Sequence, residues 1–356
     1  MPLGRLGHLG VITLLILSLG LPVMHGPAQA QASHRASSVW LPYWIMTPAH
    51  EHVIQNSDLF DVASPFWYNA TSCSTVTGLP GSGSRTLIQG LIAEGLGVVP
   101  TVMGSGLGPE AAIGCFADAQ RRAEHIELLV KVVTTHAYRG LDINYEHLAL
   151  TTDPVVAEQV QQAFSVFVED LCGRLRGLRK VCVVTVMPRT SDELTVWRGK
   201  LIPGVYDYTA IAAVASRMRV MAYDQHAPNT APGPIAGFPW VREVASYTAA
   251  KAPPSTVELG VPTYGRDWSS GTAVTLTGEQ AIKLARAHGV RPVFDPVQRE
   301  LTFLYTAQGV PHQVWFSNPQ AVAARYQLAR SMGMVGAAYW AAGLEQQGTW
   351  GAVRDH

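Results

Sequence analysis

The segment Arg139-Gly140-Leu141-Asp142-Ile143-Asn144-Tyr145-Glu146 puts a polar side chain at every second position. In an extended strand, alternate side chains face opposite ways. Asp142, Asn144 and Glu146 would then share one face, and Leu141, Ile143 and Tyr145 the other. Three polar groups in a row inside a core are costly unless they bond to one another or to a ligand. The chemistry open to such a row is the binding of a polar ligand and, at a carboxyl group, acid–base work. The alternatives are a structural hydrogen-bonded cluster or a strand with its faces exchanged. Exchange would press the polar residues against apolar neighbours, which is less favourable.

Such a row needs a scaffold. Short apolar runs recur at Val39–Trp44, Leu59–Tyr68, Gly97–Met103, Gly140–Tyr145, Val181–Met187, Arg217–Tyr223, Val257–Pro262 and Met334–Trp340. Amphipathic stretches lie between them, including Gln120–His136, Pro154–Leu178, Trp240–Lys251 and Pro319–Met332. This alternation predicts a parallel sheet with covering helices. Eight units fit a closed (β/α)₈ TIM barrel of α/β class, spanning residues 36–356 as one domain. Glu146 would stand at the C-terminal end of the fourth strand, the end where such barrels build their sites. The connection from Trp268 to Phe316 is too long for a simple loop. Its helix-like Gly278–His288 and strand-like Pro292–Tyr305 predict a small α+β insertion after strand seven, at about 269–316, walling one side of a groove. Gly78–Ser84 and Pro228–Phe238, rich in Gly, Pro and Ser, are expected as surface loops.

With 26 basic and 26 acidic residues the formal charge is zero, so neither a nucleic-acid footprint nor a polybasic membrane anchor is present. A neutral polymer suits this balance. Apolar residues at 47% against charged residues at 15% exclude a largely disordered chain. Residues 1–30 read as a signal peptide: Arg5, an apolar Leu9–Leu21 core, and Pro27-Ala28-Gln29-Ala30 before cleavage near Ala30 or Ala32. The expected product is secreted, free of the membrane and monomeric; an uncleaved anchor is the alternative. Export permits disulfides. Cys73, Cys115, Cys172 and Cys182 allow three pairings. Nearness in sequence favours Cys73–Cys115 and Cys172–Cys182, with two reduced pairs as the alternative.

The polar row resembles the Asp-Gly-x-Asp-x-Asp-x-Glu signature of glycoside hydrolase family 18, the chitinase-like barrels. Further blocks follow in the family's order: Ser64-Pro65-Phe66-Trp67-Tyr68, Met221-Ala222-Tyr223-Asp224, Gly260 through Trp268, and Tyr339-Trp340-Ala341-Ala342-Gly343. The similarity runs from about Val39 to Trp350 and is greatest to bacterial spore-germination and cortex-lytic hydrolases. It implies substrate-assisted hydrolysis beside an N-acetylglucosamine unit, with retention of configuration. Glu146 would protonate the leaving oxygen while the sugar's 2-acetamido oxygen attacks the anomeric carbon; Glu146 would then activate the incoming water. The resemblance makes Glu146, Asn144, Asp142 and Tyr223 catalytic. It assigns Asp224, Trp340, Tyr264, Trp67 and Arg266 to substrate binding, Trp340 as an apolar floor under the sugar. No metal or cofactor is implied.

Two positions depart from the signature. Arg139 takes the place of its first aspartate, and Asn144 the place of the aspartate before the acid. An asparagine oxygen still accepts the acetamido N–H. Lacking charge, it should contribute less at the transition state, by on the order of 1–2 kcal/mol. Family 85 endoglycosidases carry an asparagine at the comparable place.

The rival from another class is a chitinase-like carbohydrate-binding protein with weakened or lost catalysis, favoured by Arg139 and Asn144 and opposed by Glu146. A dinucleotide site at Gly104-Ser105-Gly106-Leu107-Gly108 fails because Pro109 stands where the fingerprint needs glycine. The 12 histidines are scattered without a His-Glu-x-x-His pair, which argues against a metallohydrolase. His147 and His226 flank the proposed site, Asp267 and Glu345 are expected near the groove, and Arg266–Asp267 is a candidate ion pair.

Overall fold

The computed structural model describes residues 37–356 apart from Pro203; the expected signal segment lies outside the described residues. Eight parallel strands form a ring. They are β1 (Ser38–Pro42), β2 (Val62–Ser72), β3 in two short runs (Gly97–Val98 and Thr101–Met103), β4 (Gly140–Asn144), β5 (Val181–Val186), β6 (Arg217–Val220), β7 (Val257–Pro262) and β8 (Gly336–Trp340). Spatial order follows sequence order. The ring closes where β1 pairs with β8, Ser38 opposite Ala338. Every strand overlaps the apolar run that predicted it, and the result is a (β/α)₈ barrel.

Local sequence explains the covering helices. The longest, Pro154–Gly177, starts at an Asp153 cap that accepts from the Val155 and Val156 amides, and has proline in its first turn. Its buried residues, among them Val160, Phe164, Phe167, Leu171 and Leu175, recur at three- and four-residue steps and form one stripe. That stripe lies on the outward residues of the barrel. The rings of Phe167 and Phe116 stack at 4.3 Å, and Tyr145 stacks on Phe167 at 5.9 Å. Both proposed disulfides are present, with Cα separations of 5.6 Å for Cys73–Cys115 and 5.2 Å for Cys172–Cys182. The first ties the turn after β2 to the helix Pro109–Phe116, and the second ties the long helix to β5.

The inner face of the barrel is charged. Arg219, wholly buried, donates to Asp142 Oδ2 at 3.0 Å, Ser64 Oγ at 2.8 Å and Glu258 Oε2 at 2.7 Å. Arg217 extends the chain of charges from Glu258 (2.7 Å) to Asp61 (2.5 Å). Such a paired network holds geometry more than it adds stability, but removing one partner strands a buried charge.

An antiparallel five-stranded sheet stands beside the barrel, in the order Thr272–Thr277, Tyr264–Ser269, Val310–Phe316, Glu300–Ala307, Val293–Asp295. It packs the helix Gly278–Ala287 over its own small core of Ala281, Ala285, Phe303, Val314 and Phe316. The sheet opens at Tyr264, earlier than the expected boundary, because the chain leaves β7 at Pro262 and pairs at once with its new neighbours. The stretch Pro228–Phe238 also differs from expectation. Its second half, Gly233–Gly237, is buried, and the carboxylate of Glu300 accepts the amides of Ile235 and Ala236. Composition alone reads such a stretch as surface, since a distant carboxylate is what satisfies its backbone.

Candidate active site

Strand β4 carries its polar row on the inner face, but its three members sit in different environments. Asp142, fully buried, is saturated: Oδ2 accepts from Trp40 (2.9 Å), Thr101 (2.7 Å) and Arg219, and Oδ1 from Thr185 (2.7 Å). It belongs to the barrel interior and braces β4. Asn144, next along the face, is nearly buried; its Nδ2 donates to Glu146 Oε1 at 3.2 Å, as an amide beside an acceptor-only carboxylate must. Its Oδ1 is buried with no hydrogen-bond partner among the described residues. Glu146 follows the strand at the head of a short turn, His147–Ala149, and keeps a quarter of its side chain exposed.

Beyond Glu146 opens a cavity of about 470 Å³. Met103, Asn144, Glu146, Trp197, Arg198 and Lys200 are among its lining residues. The glycine run after β3 contributes Gly104 and Ser105, and the reason is close approach. A Cβ at Gly104 would lie 2.8 Å from the Tyr145 ring, and one at Gly106 would lie 1.8 Å from the carbonyl of Thr71. His147 lines the cavity, held through Nδ1 on the Ser105 carbonyl at 2.9 Å. His226 instead turns its Nδ1 to the carbonyl of Ala231, outside that lining.

Tyr223 and Asp224 follow β6. The phenol of Tyr223 is buried, and burial together with the nearby Tyr264 and Glu146 pushes its proton loss well above the ordinary tyrosine value. It stays a donor at any working pH. Asp224 adopts a left-handed backbone conformation (φ 58°) that aspartate tolerates better than most residues. Burial opposes its charge, but Arg266 and Arg198 more than compensate and hold it below the usual carboxylate range. Arg266 Nη1 is 2.6 Å away, Arg198 Nη2 2.9 Å, and the Tyr264 hydroxyl also donates to it. Tyr264 and Arg266 come from the first strand of the added sheet, so that wall reaches into the site.

Trp340, half-buried at the end of β8, sits among Trp40 (5.8 Å), Phe66 (5.0 Å) and the exposed Trp44 (6.2 Å). It lies outside the cavity lining; Met103 belongs to both groups. Trp67, expected in the groove, is not there. It is fully buried in the outer core, its ring 6.3 Å from Tyr138. Ser64 and Phe66 face inward, so Trp67 points to the helices by plain alternation, and a register shift between Phe66 and Tyr68 turns Tyr68 outward as well. The expected Arg266–Asp267 pair is absent too. Neighbours on a strand point apart, and Asp267 instead accepts from Tyr305 (2.5 Å) and lies 3.0 Å from His312 Nδ1. Glu345 is bound to His52 (2.6 Å) and Trp350 (2.7 Å), away from the groove.

The residue that sequence reasoning missed is Arg198. It sits at the tip of a hairpin, Thr195–Trp197 with Lys200–Ile202, whose two turn residues Arg198 and Gly199 both have positive φ (50° and 69°). Its guanidinium lies 4.0 Å from the Trp197 ring and bridges Glu146 Oε2 (3.2 Å) and Asp224 Oδ2. Burial works against its charge, yet Asp224 and Glu146 raise its affinity for the proton. Trp197 anchors the hairpin by donating to the Tyr223 carbonyl at 2.7 Å. The Trp-Arg-Gly-Lys order, with glycine at the second turn position, is the available signal. Among the described residues, one group with the spacing of a metal site occurs, Cys73, Cys115 and His125, and its sulfurs are joined in a disulfide.

The family model "Glycosyl hydrolases family 18" matches residues 112–345, about two thirds of the chain. YdhD of Bacillus subtilis, named as a sporulation-specific glycosylase, is 26% identical over 251 residues, covering 69% of this chain and 56% of that protein. The cortical fragment-lytic enzyme of Bacillus anthracis is 26% identical over 243 residues, covering 65% and 53%. The chain thus spans little more than half the length of these relatives. Among solved structures, a chitinase from Chromobacterium violaceum superposes with a TM-score of 0.79 at 23% identity, covering 90% of this chain and 98% of that one. The spore cortex-lytic enzyme SleL of Bacillus megaterium gives 0.78 at 19% identity, covering 90% and 73%.

Proposed function

Because this chain belongs to family 18 of the glycosyl hydrolases, we propose that it cleaves β-linked glycans containing N-acetylglucosamine, with Glu146 as acid and then base. The observation that carries this reading is the unpartnered, buried Oδ1 of Asn144 beside Glu146. A buried carbonyl left without a donor is costly unless a ligand supplies one, and an acetamido N–H is such a donor. Tyr223, kept protonated, is the donor for the acetamido oxygen as it turns on the anomeric carbon. Trp340 offers an indole face to the apolar side of a pyranose. Glu146 gives its proton to the leaving oxygen and later takes one from water, so one carboxyl group serves both steps and configuration is retained. Two disulfides suit an exported protein, and we place its action outside the cell.

The test is incubation of the purified protein with chitin oligomers and with peptidoglycan glycan strands, resolving products by mass and anomeric form. Shortened products with retained configuration are expected, and the Glu146→Gln variant should lose at least a thousandfold in kcat. Binding without cleavage, identical in both proteins, would establish the carbohydrate-binding alternative instead.

A further inference from the structure

Two features of the site have the same electrostatic sense. Asn144 leaves neutral a position where the family signature has a negative charge, and Arg198 adds a positive one against Glu146. Among the described residues, Arg198 pairs with Glu146 and Asp224 and Arg266 with Asp224, while Lys200 adds a further cation to the cavity wall. Protonation of Glu146 leaves Asp224 as the remaining carboxylate of these pairs. Glycoside cleavage develops positive charge on the sugar, so surplus cations disfavour it unless an anion enters with the substrate. Asp224 keeps Arg266 when Arg198 leaves. Arg198 is therefore the cation free to be exchanged, and its side chain is more than a third exposed. Lys200, across the hairpin turn on the same cavity wall, has no carboxylate within ion-pairing distance among the described residues. Its charge and the Arg198 fork are suited to a carboxylate.

We propose that the cavity beyond Glu146 receives a sugar bearing a carboxylate, gripped by Arg198 and Lys200, and that this anion draws Arg198 off Glu146 and frees the acid to work. Arg198 is in this role a specificity-determining residue. The inference rests on the hydrolase reading for its second half only; the anion preference is a property of binding.

The experiment compares three oligomers of equal length. The first is neutral chitin oligomer, the second alternates N-acetylglucosamine with its 3-O-lactyl ether, and the third alternates it with glucuronate. The lactyl compound is also used with its carboxyl converted to the methyl amide. Calorimetry on Glu146→Gln measures binding, and kcat/KM on the unaltered chain measures turnover. At least tenfold tighter binding of one acidic oligomer over both the neutral and the amidated compound is expected, and whichever acid wins identifies the source of the carboxylate. Adding Arg198→Ala should reduce that ratio to near one, and Arg198→Lys should restore part of it. Equal binding of acidic and amidated oligomers overturns the proposal, as does a preference that survives Arg198→Ala. Should Arg198→Ala fail to fold, the amide comparison on the intact residue decides alone. If the unaltered chain cleaves none of the oligomers, the hydrolase reading fails while the binding ratios still judge the anion site.

Discussion

Replacing Asn144 with Asp would set a second carboxyl group about where an amide now lies 3.2 Å from Glu146. Two carboxylates that close share a proton and titrate as a pair, so the protonated form persists to higher pH. The variant should gain on the order of tenfold in kcat, from about 1–2 kcal/mol of added charge stabilisation. The alkaline limb of its pH–rate profile should move upward; a limb that stays in place discredits this electrostatic account. Asp142 is expected to behave differently from its neighbours. Asp142→Ala leaves Arg219 buried with one carboxylate lost, which costs about 3–5 kcal/mol, so a large fall in the denaturant midpoint should precede any kinetic reading. Alternation along β4 made this row legible, since period two is a property of any strand. It could not tell the saturated Asp142 from the open Asn144, because that difference comes from Trp40, Thr101, Thr185 and Arg219 on other strands. The same alternation puts Trp67 outward once Ser64 and Phe66 face in; what leaves no periodic mark is the shift of one residue that turns Tyr68 outward too.

The hairpin at Arg198–Gly199 is the element on which the site's charge depends. Gly199 has φ of 69°, and a Cβ there would lie 2.7 Å from the Thr230 methyl. Gly199→Val combines a left-handed β-branched residue with that clash, and the conformational part alone costs about 1–2 kcal/mol. The hairpin should loosen without unfolding the barrel. Trypsin should then nick the chain after Arg198 or Lys200 several-fold faster than in the parent, while the melting temperature shifts by only a few degrees. Unchanged susceptibility would mean that Trp197, through its bond to the Tyr223 carbonyl, holds the hairpin alone. Two three-residue strands are too short for hydrophobic periodicity to register, so the turn signal of Trp-Arg-Gly-Lys is all that marks this segment in the sequence, while the eight barrel strands, repeating one pattern, are plain.

Across the whole molecule, acid sensitivity converges behind β4. His125 is wholly buried; its Nδ1 donates to the Cys73 carbonyl (2.8 Å), which fixes Nε2 as the acceptor of the Tyr145 hydroxyl (2.9 Å). Burial lowers its affinity for a second proton below the ordinary value of 6.5, outweighing the Cys73 carbonyl. The unfolded chain therefore takes up a proton below pH 6.5 that the folded chain resists. Stability from this source is complete above that pH and declines as pH falls through it. Thermal melts from pH 8 to pH 5 should show His125→Gln losing less stability on acidification than the parent, and parallel curves would remove His125 from the account.

The added sheet carries a different consequence. Its first strand supplies Tyr264 and Arg266 to Asp224, and that strand is hydrogen-bonded on one side to Thr272–Thr277 and on the other to Val310–Phe316. Trimming the module back to a short linker would strip both edges from the strand and leave Asp224 with a single counter-ion at the end of a movable hairpin. The module is thus a foundation of the pocket, and a minimal barrel cut from this chain should be expected to lose its sugar site before it loses its fold.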